Sequence, residues 1–324
     1  MAVDHAPLDR LERALVAERP HLVGVAYRVT GSRVEAEDIV QEAWLRARRA
    51  DPATIENPEA WLTTVVSRLA LDTLKSARVR RESYVGPYLP EPVPTGGALA
   101  GRAARVPAAG GAPSGLADGA DDGDPAGMAE RAESLTFGFL RVLDTLGPVE
   151  RVVFLLADVF DMPYAQIAEV VGRSPEACRQ VASRARRRVR AERPEHAPPA
   201  EAQAVASQLL DAFAAADVDR LVALLGEECV LISDGGPRFR AARRPIVGPD
   251  RVSRFMAWLA RRYADLDVEV EAQALNGEPG IVIRQDGEPL ITMAFGVAAG
   301  RVATIHIVRN PDKLAGLDLH APVA

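Results

Sequence analysis

Between Val85 and Gly127, 27 of 43 residues are glycine, proline or alanine. Such a stretch buries too little apolar surface to offset the entropy lost in ordering it. It interrupts a chain of 324 residues, long enough for two or three separate cores. The fold is therefore multidomain: a module over 1–84, a flexible linker over 85–127, a second module over 128–194 and a third over 200–324. Pro194, Pro198 and Pro199 mark the last junction. The linker's first part, YVGPYLPEPVP, differs from the rest. Two tyrosines and a leucine among prolines predict a stiff, extended strip that docks on something.

The first two modules read as all-α. In LDRLERALVAERPHLVGVAYRVTG apolar residues recur at helical spacing and stop at Gly31. Ser32 with Glu35 predicts a capped start for RVEAEDIVQEAWLRARRA. Asn57 followed by Pro58 predicts a third helix through EAWLTTVVSRLALDTLKSARVRRE, with Trp61 in its core. Residues 128–193 are helical again, broken at Gly147-Pro148, Met162-Pro163 and Gly172. Beyond residue 200, EAQAVASQLLDAFAAADVDRLVALL reads as helical and leads into alternating stretches such as GIVIRQDG, PLITMAFGVAAG and RVATIHIVRN. Helices followed by antiparallel strands predict an α+β domain with a curved sheet against helices.

The stretch DMPYAQIAEVVGRSPEACRQVASRARRRVR carries chemistry. A short helix ends at Gly172, and Ser174-Pro175-Glu176 starts a second. Two helices joined by a short glycine-containing turn form a helix-turn-helix. Ile167, Val171, Ala177, Val181 and Ala185 are the expected buried seam. Arg179, Gln180, Ser183, Arg184 and Arg187 then face outward. Arginine and glutamine reach guanine and adenine edges bidentately in the major groove, and residues 173–193 hold eight arginines against two acids, which suits phosphate. An arginine run alone would be a solvated basic face; the surrounding helix-turn-helix grammar is what points to DNA.

The formal net charge of −6 rules out a wholly basic coat protein but not a local basic patch. Cys178 and Cys229 sit in different segments without a CxxC or Cys/His cluster, so neither zinc nor a disulfide framework is expected. The first residues lack an apolar core for a signal peptide, and no apolar run reaches 18 residues; the expected location is cytoplasmic, with no membrane partner.

Two further clusters are individually weak. Glu35, Glu37, Asp38 and Glu42 make the second helix acidic, opposite Ile39, Val40, Ala43 and Trp44. Arg78, Arg80 and Arg81 end the third helix, where its dipole favours cations in any case. Taken in order, AEDIVQEAWLRA, NPEAWLTTVVSRLALDTLKSARVRRE and YAQIAEVVGRSPEACRQVASRARRRV resemble the extracytoplasmic-function sigma factors of bacterial RNA polymerase. The resemblance implies a sigma-two domain over the first module and a sigma-four domain over the second. It implies core polymerase (the β′ coiled coil, and β) and promoter DNA as partners. Asp38, Gln41 and Glu42 match the polymerase-docking positions. Arg68, Lys75, Arg78, Arg80 and Arg81 match the side that reads and opens the minus-ten element. Arg179, Gln180, Ser183 and Arg184 take the base-facing positions for the minus-thirty-five element, with Arg187 beside them.

The third module resembles SnoaL-like domains, α+β cones of the nuclear-transport-factor-two type, and the whole layout resembles the sigma factor J group. YLPEP at Tyr88–Pro92 and NPDKL at Asn310–Leu314 match that group's motifs, while DGGPRFR at Asp234–Arg240 departs at Pro237 and Arg238 from the group's Asp-Gly-Gly-Gly-Lys. The group resemblance implies contacts in cis through Tyr88, Leu89, Pro90, Asp234, Asn310, Asp312 and Lys313, and a domain that modulates the sigma modules. A small ligand in its pocket stays open. A competing reading is an acid–base cyclase or isomerase using Asp234, Asp286 or His306. His306 is expected on one strand face with Val302, Thr304 and Val308. A stand-alone, ligand-responsive helix-turn-helix regulator is the other alternative. No cofactor, metal or catalytic residue is expected.

Overall fold

A computed structural model describes residues 6–51, 54–81, 84, 86–95, 103–105, 136–192, 197–239 and 241–318. The rest of the linker and the start of the second module, residues 128–135, lie outside them. The described chain forms two compact units. The first holds both helical modules. The second holds the α+β domain together with the linker flanks Tyr84–Thr95 and Thr136–Phe139. No described helix is long and apolar enough to cross a membrane.

In the first unit, α1 (Ala6–Thr30), α2 (Arg33–Ala47) and α3 (Pro58–Arg81) pack around Leu11, Leu22, Tyr27, Val40, Leu62 and Val66. Their ends follow local chemistry. Gly31 takes φ 73° after α1, the Ser32 hydroxyl accepts from Glu35 N at 3.1 Å, and the Asn57 side chain accepts from Ala60 N at 3.1 Å. Trp61 is half-buried, not in the core.

The second module contributes α4 (Phe137–Asp144), α5 (Pro148–Phe154), a π-helical turn over Leu155–Val159, α6 (Tyr164–Val171) and α7 (Pro175–Glu192). The two modules share hydrogen bonds. Buried Arg151 donates to the Arg28 carbonyl from Nη2 at 2.9 Å and Nε at 3.2 Å, and pairs with Asp144 at 2.5 Å. Arg68 on α3 donates to the Glu169 carbonyl on α6 at 2.9 and 3.3 Å. Phe160 receives the His21 ring edge-on at 5.4 Å and the Arg28 guanidinium over its face at 5.5 Å.

In the second unit the helical stretch after residue 200 forms two helices, α8 (Pro199–Ala214) and α9 (Val218–Leu224). Asp217 causes the break: its carboxylate accepts from Arg220 N at 3.0 Å and starts a new helix, after Ala216 turns at φ 49°. With α10 (Pro249–Tyr263), these helices cover one face of a seven-stranded sheet in the order β1-β4-β5-β6-β7-β2-β3. The strands are β1 (Ala103–Arg105), β2 (Leu225–Asp234), β3 (Ile246–Val247), β4 (Glu269–Ala272), β5 (Gly280–Gln285), β6 (Glu288–Ala298) and β7 (Arg301–Val308). One expectation fails here. The sheet is not wholly antiparallel, because β2 runs parallel to β7. The whole of β3 to β6 lies between them, enough chain to return to the same end. An apolar core lies between helices and sheet: Leu209 and Met256 from the helices meet Leu231, Phe295, Ile305 and Ile307 from the strands.

Candidate functional site

The exposed arginine face expected to meet DNA grows from the caps of α6 and α7. Gly172 leaves α6 at φ 67°, a left-handed turn open to glycine, and the Ser174 hydroxyl accepts from Ala177 N at 3.2 Å. Helical periodicity then buries Cys178, Val181, Ala182, Ala185 and Val189 against Ile167 and Ala168. The expected seam was one position off in part. Val171 and Ala177 are only half-buried, and Cys178 and Ala182 take the inner places. The seam leaves Arg179, Gln180, Ser183, Arg184 and Arg187 exposed on one side of α7. Arg179 lies over the Tyr164 ring at 5.5 Å and 3.5 Å from Glu176, while Arg186 is committed to Asp158 at 2.6 Å and the Tyr164 hydroxyl at 2.9 Å. Both cysteines are free and buried, and burial pushes each thiol above its usual range.

On α2, Asp38 and Gln41 are exposed and Glu42 is half-buried, pairing with Arg46 at 3.0 Å. Ile39, Val40 and Ala43 face the core; Trp44 is half-buried, with Arg48 over its ring at 5.1 Å. Of the minus-ten candidates, Arg68 is spent on the Glu169 carbonyl and Lys75 pairs with Asp72 at 3.2 Å. The side chains of Arg78, Arg80 and Arg81 lie outside the described residues.

The densest polar site is in the second unit. Asp234 ends β2 and is 1% exposed. Four donors satisfy it. Oδ1 accepts from the Tyr84 hydroxyl at 2.5 Å and Gly236 N at 3.0 Å; Oδ2 accepts from Leu89 N at 3.0 Å and Lys313 Nζ at 2.7 Å. Lys313 also donates to the Leu89 carbonyl and lies over the Tyr88 ring, 3.2 Å from its centroid. Asn310 donates to the Tyr84 hydroxyl at 3.0 Å and accepts from Asp312 N at 3.2 Å, capping the helical turn α11 (Pro311–Leu314). Burial first, and then the Asp234 carboxylate, push the Tyr84 phenol far above its usual range. Gly236, at φ 62°, faces the Asn310 side chain so closely that a Cβ would fall 2.6 Å from it; only glycine fits.

The YLPEP strip therefore docks on the α+β domain. Leu89 is fully buried among Phe137, Ile232, Leu275, Val282 and Leu314, on the sheet face opposite the helices. Pro90 and Pro92 are buried, and Val93 exchanges hydrogen bonds with Asn276 at 2.8 and 2.9 Å. Sequence reasoning missed Tyr84 and Asn276. The Tyr84–Tyr88 spacing was the available signal, since the two rings meet edge to face at 5.3 Å. Asp312 stays outside the cluster, exposed and 3.8 Å from Arg238. Arg240 lies outside the described residues.

The acid–base candidates are not gathered. Asp286 sits exposed in the β5–β6 turn at φ 53°. His306 is buried beneath the Phe137 ring at 5.1 Å, with Nδ1 3.5 Å from Glu278 Oε2; neither side chain has a hydrogen-bond partner among the described residues. Val302 does not share its face. The β6–β7 register shifts between Thr304 and Val302, which turns Val302 into the helix-side core. Among the described residues no group of three or more His, Cys, Asp or Glu is placed to hold a metal.

Comparison with known proteins completes the picture. Family models for sigma-70 region 2, sigma-70 region 4 and a SnoaL-like domain match residues 15–80, 137–189 and 206–310. The chain is 40% identical over 314 residues to the ECF RNA polymerase sigma factor SigJ of Mycobacterium tuberculosis, covering 94% of this chain and 93% of the relative. It is 31% identical over 310 residues to the probable ECF sigma factor SigI of the same species, covering 94% and 95%. The crystal structure of M. tuberculosis SigJ superposes with a TM-score of 0.69 at 37% identity, covering 94% of this chain and 98% of that one.

Proposed function

Because the chain belongs to the extracytoplasmic-function sigma factors of RNA polymerase, we propose that its SnoaL-like domain regulates promoter use in cis by holding both flanks of the linker between the two sigma modules. Sigma factors of this kind direct polymerase to specific promoters; the chemistry of transcription belongs to the polymerase. Our reading assigns base recognition at the minus-thirty-five element to Arg179, Gln180, Ser183 and Arg184, with Arg187 on phosphate. It assigns polymerase docking to Asp38, Gln41 and Glu42, and minus-ten contacts to Lys75 and the arginines that end α3. Arg68 would first have to leave Glu169.

One observation carries the regulatory part. Leu89, in the first part of the linker, and Phe137, beyond its far end, are buried in the same apolar cluster of the α+β domain. While both are seated, the domain's surface sets the reach of the intervening segment. Once Leu89 leaves, the chain between α3 and β1, which pairs with β4, is freed and spans more. A ligand or partner shifts this equilibrium only by binding the seated and released states unequally.

The test is reconstituted transcription with Leu89→Asp. Promoter output should change several-fold while affinity for core polymerase stays at the wild-type value. A folded variant with wild-type output would refute regulation through the linker.

A further inference from the structure

Residues 238–262 carry eight arginines and one carboxylate, Asp250, inside a domain that is otherwise acidic. This matches the arginine density of the recognition helix, yet it lies in the module with no expected nucleic-acid role. The structure orders the second half of this segment. On α10, Val252, Met256, Ala257 and Leu259 are buried, which turns Arg251, Arg254, Trp258, Arg261 and Arg262 to solvent. At 3.6 residues per turn the five fall within an arc of roughly 100°. From Arg251 to Arg261 the stripe is about 15 Å long.

Two features separate it from an ordinary solvated face. The arginines are hardly paired: Arg254 lies 3.5 Å from Asp250, both about three-quarters exposed, and Arg251, Arg261 and Arg262 have no carboxylate within ion-pair distance among the described residues. The stripe also carries an aromatic. Trp258 is 55% exposed and leans on Phe255, with ring centroids 5.7 Å apart. More than half of this ring is open to water, so its apolar surface is available to a partner.

We propose that this face of α10 binds single-stranded DNA, with Arg251, Arg254, Arg261 and Arg262 on the phosphates and Trp258 stacked on an unpaired base. Cations that track a backbone beside an exposed ring are the elements of single-strand binding, and every base offers a π-face to such a ring. A duplex keeps those faces stacked away from the indole, so the phosphates alone would be read. An acidic protein would complement the arginines but gives Trp258 no matched flat surface. The inference stands apart from the regulatory reading above, since it needs neither the linker nor the seated strip.

The experiment uses the full chain labelled with 5-fluorotryptophan. The resonance absent from the Trp258→Phe variant identifies that indole, so the readout reports α10 and not the sigma modules. Oligo(dT) should move this resonance saturably. In R251Q/R254Q/R261Q the apparent affinity read there should fall at least tenfold, and the dependence of log K on log salt should flatten by about 2, at about 0.7 for each lost phosphate contact on a single strand. A resonance that oligo(dT) leaves unmoved overturns the proposal. Equal affinity for a duplex of the same length overturns it in favour of duplex phosphate, and a response to polyglutamate alone overturns it in favour of an acidic protein.

Discussion

Asp234 shows how one residue decides the state of a whole segment. A buried carboxylate is costly unless its lone pairs are filled, and here four donors fill them, one of them the Lys313 cation. Two of the four, Tyr84 and Leu89, come from the strip, so the charge is fully satisfied only when the strip is seated. Asp234→Asn keeps the shape, but it removes the carboxylate that pairs with the buried Lys313 ammonium at 2.7 Å. It should cost about 3–5 kcal/mol by urea denaturation. Tyr84 adds a pH dependence of known sign. Its folded pKa lies above the free value of about 10, so its contribution is complete below pH 10 and is lost as pH rises further. Tyr84→Phe should therefore be less stable than wild type by about 1 kcal/mol at pH 8. The gap should narrow between pH 10 and 11; a constant gap would show that the hydroxyl does not titrate against the docked state.

At the scale of elements, α7 is the helix proposed to meet DNA, and its seam was largely legible because the signals are local. Ser174, Pro175 and Gly172 are read within one turn, and the arginines follow by periodicity. The slip from Ala177 to Cys178 came from the small size of alanine, which fits either side of a seam without cost. Sheet pairing was less legible. The parallel β2–β7 pair joins segments some seventy residues apart, and no local pattern encodes that partner. The register shift that separates Val302 from His306 is equally silent, since alternation of side chains looks unbroken in VATIHIV. On α7, Arg184→Ala should lower affinity at the cognate minus-thirty-five element by about 1–3 kcal/mol and relax sequence preference there. Loss of the same size on every promoter would move Arg184 from base reading to phosphate, beside Arg187.

For the molecule as a whole, the linker composition pointed to more than one module, and YLPEP already stood out as the part able to dock. Two things were hidden. Both helical modules fall in one compact unit, closed by Arg151 on the Arg28 carbonyl and Arg68 on the Glu169 carbonyl. Bonds from side chains to distant backbone carbonyls leave no trace in sequence. The strip also belongs to the α+β unit, held by amides of Leu89, Val93 and Thr95 that donate to Asp234, Asn276 and Ala274. Those acceptors lie on two segments, the end of β2 and the stretch Ala274–Asn276, yet the strip is short and its leucine is fully buried. It should therefore release as one piece. Native-state hydrogen exchange tests this, because amides that open together share one opening free energy. Leu89, Val93 and Thr95 should exchange with a common free energy below that of the β6–β7 amides. Leu89→Ala removes a fully buried side chain and should lower that shared value by about 2–4 kcal/mol at all three amides, while the β6–β7 amides change less. If Val93 and Thr95 keep their protection in that variant, the strip opens piecemeal, and Leu89 cannot be the residue through which the domain governs the linker.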